Sequence, residues 1–460
     1  MSILSEQIET VRTADTLGVE GRVLSSTGLT VQARGLPLPV GSLCEIDSDT
    51  HDAIPAEVIG FRKDATLLMP LAEARGLTAG QRVRLVTSAQ KVPVGPGLLG
   101  RVVDAMGHAC DAAAPLSVDT YYPLHRPAPD AMKRPTIDTP MSVGIRSINA
   151  MLTAGRGQRL GIFSGTGVGK SILLGMMARF TTADVTVIAL VGERGRELGD
   201  FIQRDLGPEG LKRSVLVVST SDQSPPLRVR ACFTATAIAE YFRDQGADVL
   251  LLMDSVTRMA MAGRQIGLAA GEPPATKGYP PSVFALLPRL LERTGRSERG
   301  SITGLYTVLV EADDINEPVS DAVRGILDGH IWLSRKLANR GQYPAVSVLE
   351  SLSRVMPDVV DAAHVHAAGR VREVMAVWEE IEDLVNIGAY APGTNPRFDL
   401  AIRMRPEIED FLKQDMNTGH DFEASREALL ALVAKMDKTA AELEKQAGPP
   451  VGSAMGTRQS

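Results

Sequence analysis

The sequence predicts an α/β protein with three parts: a small β-barrel over residues 18–90, a central parallel-sheet domain over 91–356, and a helical domain over 357–446. Three observations predict it. Short alternating runs broken by Gly, Pro and Asp fill the first part, which is the pattern of a small barrel or sandwich. Nearly continuous apolar runs alternate with helical segments in the second, as in a parallel sheet covered on both faces. From about Pro357 the apolar spacing is helical throughout.

In chain order, residues 2–13 read either as a short amphipathic helix, with Ile3, Leu4, Ile8 and Val11 on one side, or as a frayed terminus. As a helix, residues 1–17 would form a segment for docking a partner. The barrel strands are expected at Val19–Leu24, Leu43–Ile46, Glu57–Phe61, Thr66–Met69 and Arg82–Val86. Gly95–Val103 and the Pro-rich Pro123–Pro140 read as connecting structure laid over the core. Strands then follow at Leu160–Phe163, Val185–Val191, Ser214–Thr220, Val249–Asp254, Ser301–Val310, Ile331–Leu333 and Ala345–Leu349. The intervening helices are Ile172–Phe180, Arg228–Phe242 and Val283–Thr294. Gly263–Ser282, rich in Gly and Pro, reads as a long mobile surface loop. Helices over Val359–Glu382, Arg397–Leu412 and Glu423–Gln446 complete the chain, with a small, polar, disordered tail over 447–460.

Composition narrows the function. The 460 residues carry a formal net charge of −6, so no global basic field recruits nucleic acid. Small barrels that bind RNA stack bases on aromatic rings, and this one holds a single ring, Phe61. The cysteines, Cys44, Cys110 and Cys232, stand far apart and suggest a reduced, cytosolic compartment. No apolar run approaches the roughly 18 residues that span a bilayer. The early acidic residues Glu6 and Glu9 do not fit a secretory leader. Any work at a membrane is therefore expected to go through partners.

The chemistry centres on Ser164-Gly165-Thr166-Gly167-Val168-Gly169-Lys170-Ser171, between an apolar strand and a helix that opens with Ile172. A glycine-rich turn there leaves several backbone N–H groups pointing into one hollow, and the helix N-terminus adds positive charge. That hollow suits phosphate. Lys170 can reach the outer phosphates, and the Ser171 hydroxyl can ligate the accompanying magnesium. Ser164 stands where the strict pattern has Gly, a mild departure because a small residue still allows the turn. The second strand ends in Gly192-Glu193-Arg194-Gly195-Arg196-Glu197, at the end of a parallel strand where such sheets bind ligands. Glu193 is the candidate to polarise the attacking water and Arg194 to contact phosphate. Asp254, closing an apolar run, is the candidate to hold magnesium, directly or through water. His364 and His366 are two apart, which on a helix points them to different sides, so they read as structural.

These segments, with Pro273–Ser282 and Glu350–Arg354, resemble the rotary ATP synthase α/β superfamily. Within it the chain is most similar to the type III secretion branch, the flagellar protein-export ATPases and their injectisome relatives. The resemblance covers nearly all of residues 18–446, and Gly278–Gly295 is its most specific piece. It implies a RecA-like central domain, ATP and Mg2+ as ligands, and a homohexameric ring. Lys170, Ser171 and Asp254 match the nucleotide and magnesium positions, and Glu193 the catalytic carboxylate. Arg354 matches the arginine finger offered to a neighbouring subunit's nucleotide. The Gly/Pro loop would face a ring pore holding a coiled-coil stalk protein, and the N-terminal segment would bind a stator-like regulator. The export gate, chaperones and export substrates are the further implied partners, at a cytoplasmic site peripheral to the inner membrane. Two positions depart from the family: Ser347, usually Asp, Asn or His, and Val365, often aromatic and near the adenine. A hexameric RNA motor, a non-catalytic ring subunit and a proton-driven ATP synthase subunit are the competing readings. The barrel's lack of rings, the presence of Glu193 and the Tyr279-Pro280-Pro281 stretch argue against them in turn.

Overall fold

The computed structural model describes residues 18–48, 52–111, 113–310 and 317–447. The expectations for residues 1–17 and 448–460 lie outside them.

Six strands, β1 (Glu20–Thr27), β2 (Thr30–Arg34), β3 (Leu43–Ile46), β4 (Ile54–Arg62), β5 (Ala65–Pro70) and β6 (Arg82–Thr87), close into an antiparallel barrel in the order β1-β2-β5-β4-β3-β6. Five match expected runs; β2 was not foreseen. Alternate residues point inward, so Val23, Val31, Ala33, Ile46, Ala56, Val58 and Leu68 form a small core of their own. Phe61 points out and is 56% exposed.

Beyond the barrel come β7 (Lys91–Val94), β8 (Val102–Val103), β9 (Thr120–Pro123), β10 (Pro140–Met141) and β11 (Ala154–Gly155). β7 pairs with β9, and β10 with β11. Most of this region is connecting structure, as expected. β8 is the exception, since it joins the main sheet parallel to β14 (Ser214–Thr220).

The main sheet also uses β12 (Arg159–Ser164), β13 (Val185–Glu193), β15 (Asp248–Asp254), β16 (Gly295–Arg296), β17 (Ser301–Leu309), β18 (Gly329–Leu333) and β19 (Val346–Ser353). Its order is β19-β18-β12-β17-β15-β13-β14-β8, with β16 paired on β17. All main pairings are parallel except β18–β19. The strand period of two sorts side chains to the two faces. Leu160, Ile162, Ile188, Leu190, Leu250 and Leu252 enter one apolar cluster. Phe163, Val187, Ala189, Val249, Leu251 and Met253 enter the other.

The first cluster does not stop at the central domain. It continues into Val371, Val374 and Ile381 of the Ala362–Asn386 helix, Leu400 and Met404 of the Pro396–Leu412 helix, and Leu429 and Met436 of the Phe422–Ala447 helix. Asn149 Nδ2 bonds the His420 carbonyl, and Arg146 bonds carbonyls of Asp410 and Phe411. The helical domain thus shares one core with one face of the sheet.

The Gly/Pro loop is shorter than expected. Residues 263–270, assigned to the Gly/Pro loop, continue a helix, Val256–Ala270. The Ser255 hydroxyl caps its start by accepting from the Arg258 N–H, and Gly271, at φ 93°, ends it in the left-handed conformation. A β-carbon at Gly267 would lie 2.9 Å from Pro280 Cγ, and one at Gly263 would lie 3.4 Å from Val283 Cγ2. Gly267 admits Pro280, at the start of the next helix (Pro281–Leu291), at close range, whereas a β-carbon at Gly263 would make an ordinary contact. The loop proper is residues 271–280.

Candidate nucleotide-hydrolysis site

Three strand ends at the carboxyl edge of the sheet bring the expected groups together. β12 delivers the phosphate loop, β15 ends in Asp254, and β13, beside β15, ends in Glu193. Gly167 (φ 76°) and Gly169 (φ 85°) take left-handed backbone angles that make the turn. The Lys170–Phe180 helix begins directly afterwards, with no side chain capping it. Its first N–H groups therefore remain available to an anion. Thr166, Gly167, Ser171 and Ile172 are exposed, while Ser164, Gly165 and Val168 are buried beneath. The buried Ser164 Oγ has no hydrogen-bond partner among the described residues.

Lys170 Nζ donates to Asp254 Oδ1 at 2.5 Å and lies 3.7 Å from Glu193 Oε1. Thr307 Oγ1 on β17 donates to the same Asp254 oxygen at 2.7 Å. A bulge at Gly192 (φ 73°) takes Glu193 out of the strand alternation and turns it toward this group. Burial first, and then the charge of Asp254, push the Glu193 carboxyl up to about 7, against the pull of Lys170. The two carboxylates share one ammonium in a largely desolvated corner.

Two residues at this site went unnoticed in the sequence. The Arg258 stem packs over Gly192, where a β-carbon would lie 3.0 Å from Arg258 Cβ, and its charge opposes the rise at Glu193. Its Nε is buried without a hydrogen-bond partner among the described residues. Tyr343 lies against the phosphate loop: a β-carbon at Gly169 would be 3.3 Å from its Cε1, yet the residue is 45% exposed.

Arg194 is not brought into this group. It faces solvent, with its side chain 82% exposed and Glu197 at 3.7 Å. Val365 is exposed near the start of its helix, and His364 is buried with Nε2 against the Ala150 carbonyl at 2.7 Å. Arg354 is placed at the other end of the sheet. Gly161 on β12 pairs with His330, and Gly329 pairs with Ser353 where antiparallel β19 ends. The Arg354 N–H bonds the Asp328 carbonyl at the foot of the sheet. At about 3.3 Å per residue, the five steps of β12 separate that foot from the subunit's own loop by roughly 17 Å. The Arg354 side chain is exposed, with no hydrogen bond or ion pair among the described residues.

Comparison with known proteins identifies the domains around this site. Residues 144–353 match the nucleotide-binding domain of the ATP synthase alpha/beta family, and residues 360–431 match the T3SS EscN ATPase C-terminal domain. A flagellum-specific ATP synthase of Bacillus subtilis is 51% identical over 433 residues, covering 92% of this chain and 98% of its own. The chain belongs to the flagellar and type III secretion ATPase family. A type 3 secretion system ATPase of Xanthomonas euvesicatoria is 48% identical over 413 residues, covering 90% of this chain and 93% of its own. The assembled ATPase EscN of enteropathogenic E. coli, solved in complex with its central stalk EscO, superposes with a TM-score of 0.83 at 42% identity. That match covers 90% of this chain and 100% of that one. Barrel, P-loop domain and C-terminal helices are the architecture of the family, and its members are nucleotide-binding, ATP-hydrolysing enzymes. Among the described residues, no helix is long and apolar enough to cross a membrane.

Proposed function

We propose that this enzyme hydrolyses ATP at the subunit interfaces of a closed homohexamer serving the flagellar type III export apparatus, driving unfolding or delivery of export substrates. The observation that carries the reading is the separation of functions within one subunit. Phosphate loop, Lys170, Glu193 and Asp254 converge at one edge of the sheet, while Arg354, unpaired among the described residues, is exposed at the other. Such a subunit holds the triphosphate and lacks the last cation, which its neighbour would supply.

In this reading the loop amides from Gly165 to Ser171 hold the phosphates, and Lys170 turns from Asp254 to the outermost one. Glu193, its proton affinity raised into the neutral range, holds the attacking water and accepts its proton. Arg258 takes the phosphate-side role expected of Arg194, and its unpartnered Nε is the donor that fits it. The Tyr343 ring, half-exposed beside Gly169, is placed for the base to lie against. A carboxylate and a hydroxyl are the oxygen donors Mg2+ takes, so Asp254 and Ser171 would hold it beside the phosphates. Among the described residues no set of three His, Cys, Asp or Glu could hold a metal alone, consistent with an ion whose other ligands are substrate oxygens and water. When bound, the ion neutralises charge on the phosphates. Arg354 from the next subunit stabilises the charge developing on the transferred phosphoryl group, an effect worth roughly 10³–10⁵ in rate in comparable enzymes.

Outside the site, residues 271–280 line the ring's pore and contact a coiled-coil stalk, residues 1–17 dock a stator-like regulator, and the export gate, chaperones and substrates complete the assembly. The protein then works in the cytoplasm, held peripherally at the inner-membrane export apparatus. Two experiments test this. Activity per subunit should rise steeply with protein concentration, and a fully active monomer would defeat the reading. Deleting the gene should abolish motility; loss of effector secretion with motility intact would move the enzyme to the injectisome.

A further inference from the structure

The twelve-residue loop between β18 and β19 carries Tyr343, and its only regular structure is one short helix, Arg335–Asn339. Its ends are tied together by Ser334 N–H bonding the Ala345 carbonyl at 2.8 Å. Among the described residues, polar contacts at two places tie it to the helical domain. Near its end, the Gln414 N–H donates to the Tyr343 carbonyl at 3.0 Å. On the flank, Glu382 of the Ala362–Asn386 helix takes Lys336 Nζ at 2.8 Å on one carboxylate oxygen and Arg340 at 2.7 Å on the other. The Glu382 side chain is only 9% exposed, although both cations reach solvent. Burial would raise its proton affinity, but the hydrogen bonds from Lys336 and Arg340 outweigh that and hold it below the ordinary carboxylate range.

Behind this clamp lies a cavity of about 320 Å³, walled by Lys336, Arg340, Trp378, Glu382 and Arg405. Leu337 and Ala338 of the loop meet the apolar cluster of the helices beside this cavity, and the ion pairs bridge loop and helix at its polar edge. Resting on the reading of Tyr343 given above, we infer that Glu382 is a positioning residue for nucleotide binding. Through Lys336 and Arg340 it sets where the Tyr343 loop stands beside the phosphate loop. A buried carboxylate fixing two cations three to seven residues from the ring constrains the loop directly. With the cavity behind it, loss of the charge leaves the loop free to shift.

The test is a double-mutant cycle on the full-length enzyme, read by titration with a fluorescent ATP analogue and by KM and kcat. Glu382→Gln should weaken nucleotide binding about fivefold to tenfold and raise KM correspondingly, with kcat within about twofold. Glu382→Asp, which keeps the charge, should restore most of the affinity. In a Tyr343→Ala background, Glu382→Gln should add nothing further. Penalties that multiply, or an unchanged affinity in Glu382→Gln, would overturn the inference while leaving Tyr343 in place. An unchanged affinity in Tyr343→Ala would instead remove the base contact itself, and this inference with it.

Discussion

The dependence of catalysis on a neighbour can be put to a quantitative trial by mixing two defective subunits. Arg354→Ala keeps its own phosphate loop but offers no cation to the next subunit. Lys170→Ala loses its own site but still presents Arg354. Alone, each ring should be close to inactive, Arg354→Ala falling by about 10³-fold or more. Within one subunit, the roughly 17 Å from Arg354 to the loop is several times the reach of any hydrogen bond. In an equimolar mixed ring, a competent interface needs an Arg354→Ala subunit holding the nucleotide and a Lys170→Ala subunit beside it. Random closed assembly produces that arrangement at about one interface in four. Phosphate release should recover to about a quarter of the wild-type rate, provided interfaces act independently. The assay is steady-state phosphate release from rings whose size is verified after mixing. Assembled mixed rings no more active than their parents would refute action across the interface, as would an Arg354→Ala enzyme of ordinary activity.

Glu193→Gln removes the proton acceptor and little else, so ATP should bind as before while turnover falls by about 10²–10⁴-fold; unchanged turnover would exclude Glu193 from the chemistry. Glu57, on β4 of the barrel, is pushed up to about 7 by burial, against the charge of Arg230 and a hydrogen bond with Gln90. Its folded value exceeds its unfolded one, so its contribution is complete below about 4.5 and is lost as pH rises through about 7. Denaturant midpoints should fall over that window, and Glu57→Gln should flatten the fall. Gly267→Val should cost about 1–3 kcal/mol through contact with Pro280. By contrast Gly369→Ala, on a helix with nothing within 4 Å of the new β-carbon, should gain roughly 0.5–1 kcal/mol; chemical denaturation of both variants separates close approach from helix propensity.

The parts of the site written in one continuous stretch were legible. Strand, glycine turn and helix around Lys170 are a local arrangement, and apolar runs ending in Glu193 and Asp254 announce themselves by their own burial. That these two strands lie side by side follows from the order of the parallel sheet, which the runs alone do not state. Tyr343 and Arg258 had no signature. One belongs to a loop far along the chain and the other to the first turn of a helix, Val256–Ala270, that the sequence reading did not assign. Gly267 misled for a related reason: a glycine that admits a close neighbour looks, in sequence, like a breaker. Arg354 was singled out only by resemblance, because the role proposed for it depends on a surface the single chain does not contain.

The apolar cluster that runs from the sheet into the C-terminal helices has a thermal consequence. The barrel has its own small core, so it should melt as a separate unit. The sheet and the helices behind it cannot be parted without wetting the seam between them, so they should lose structure together. Scanning calorimetry of dilute subunits would then trace two heat-absorption peaks where three sequence regions suggest three.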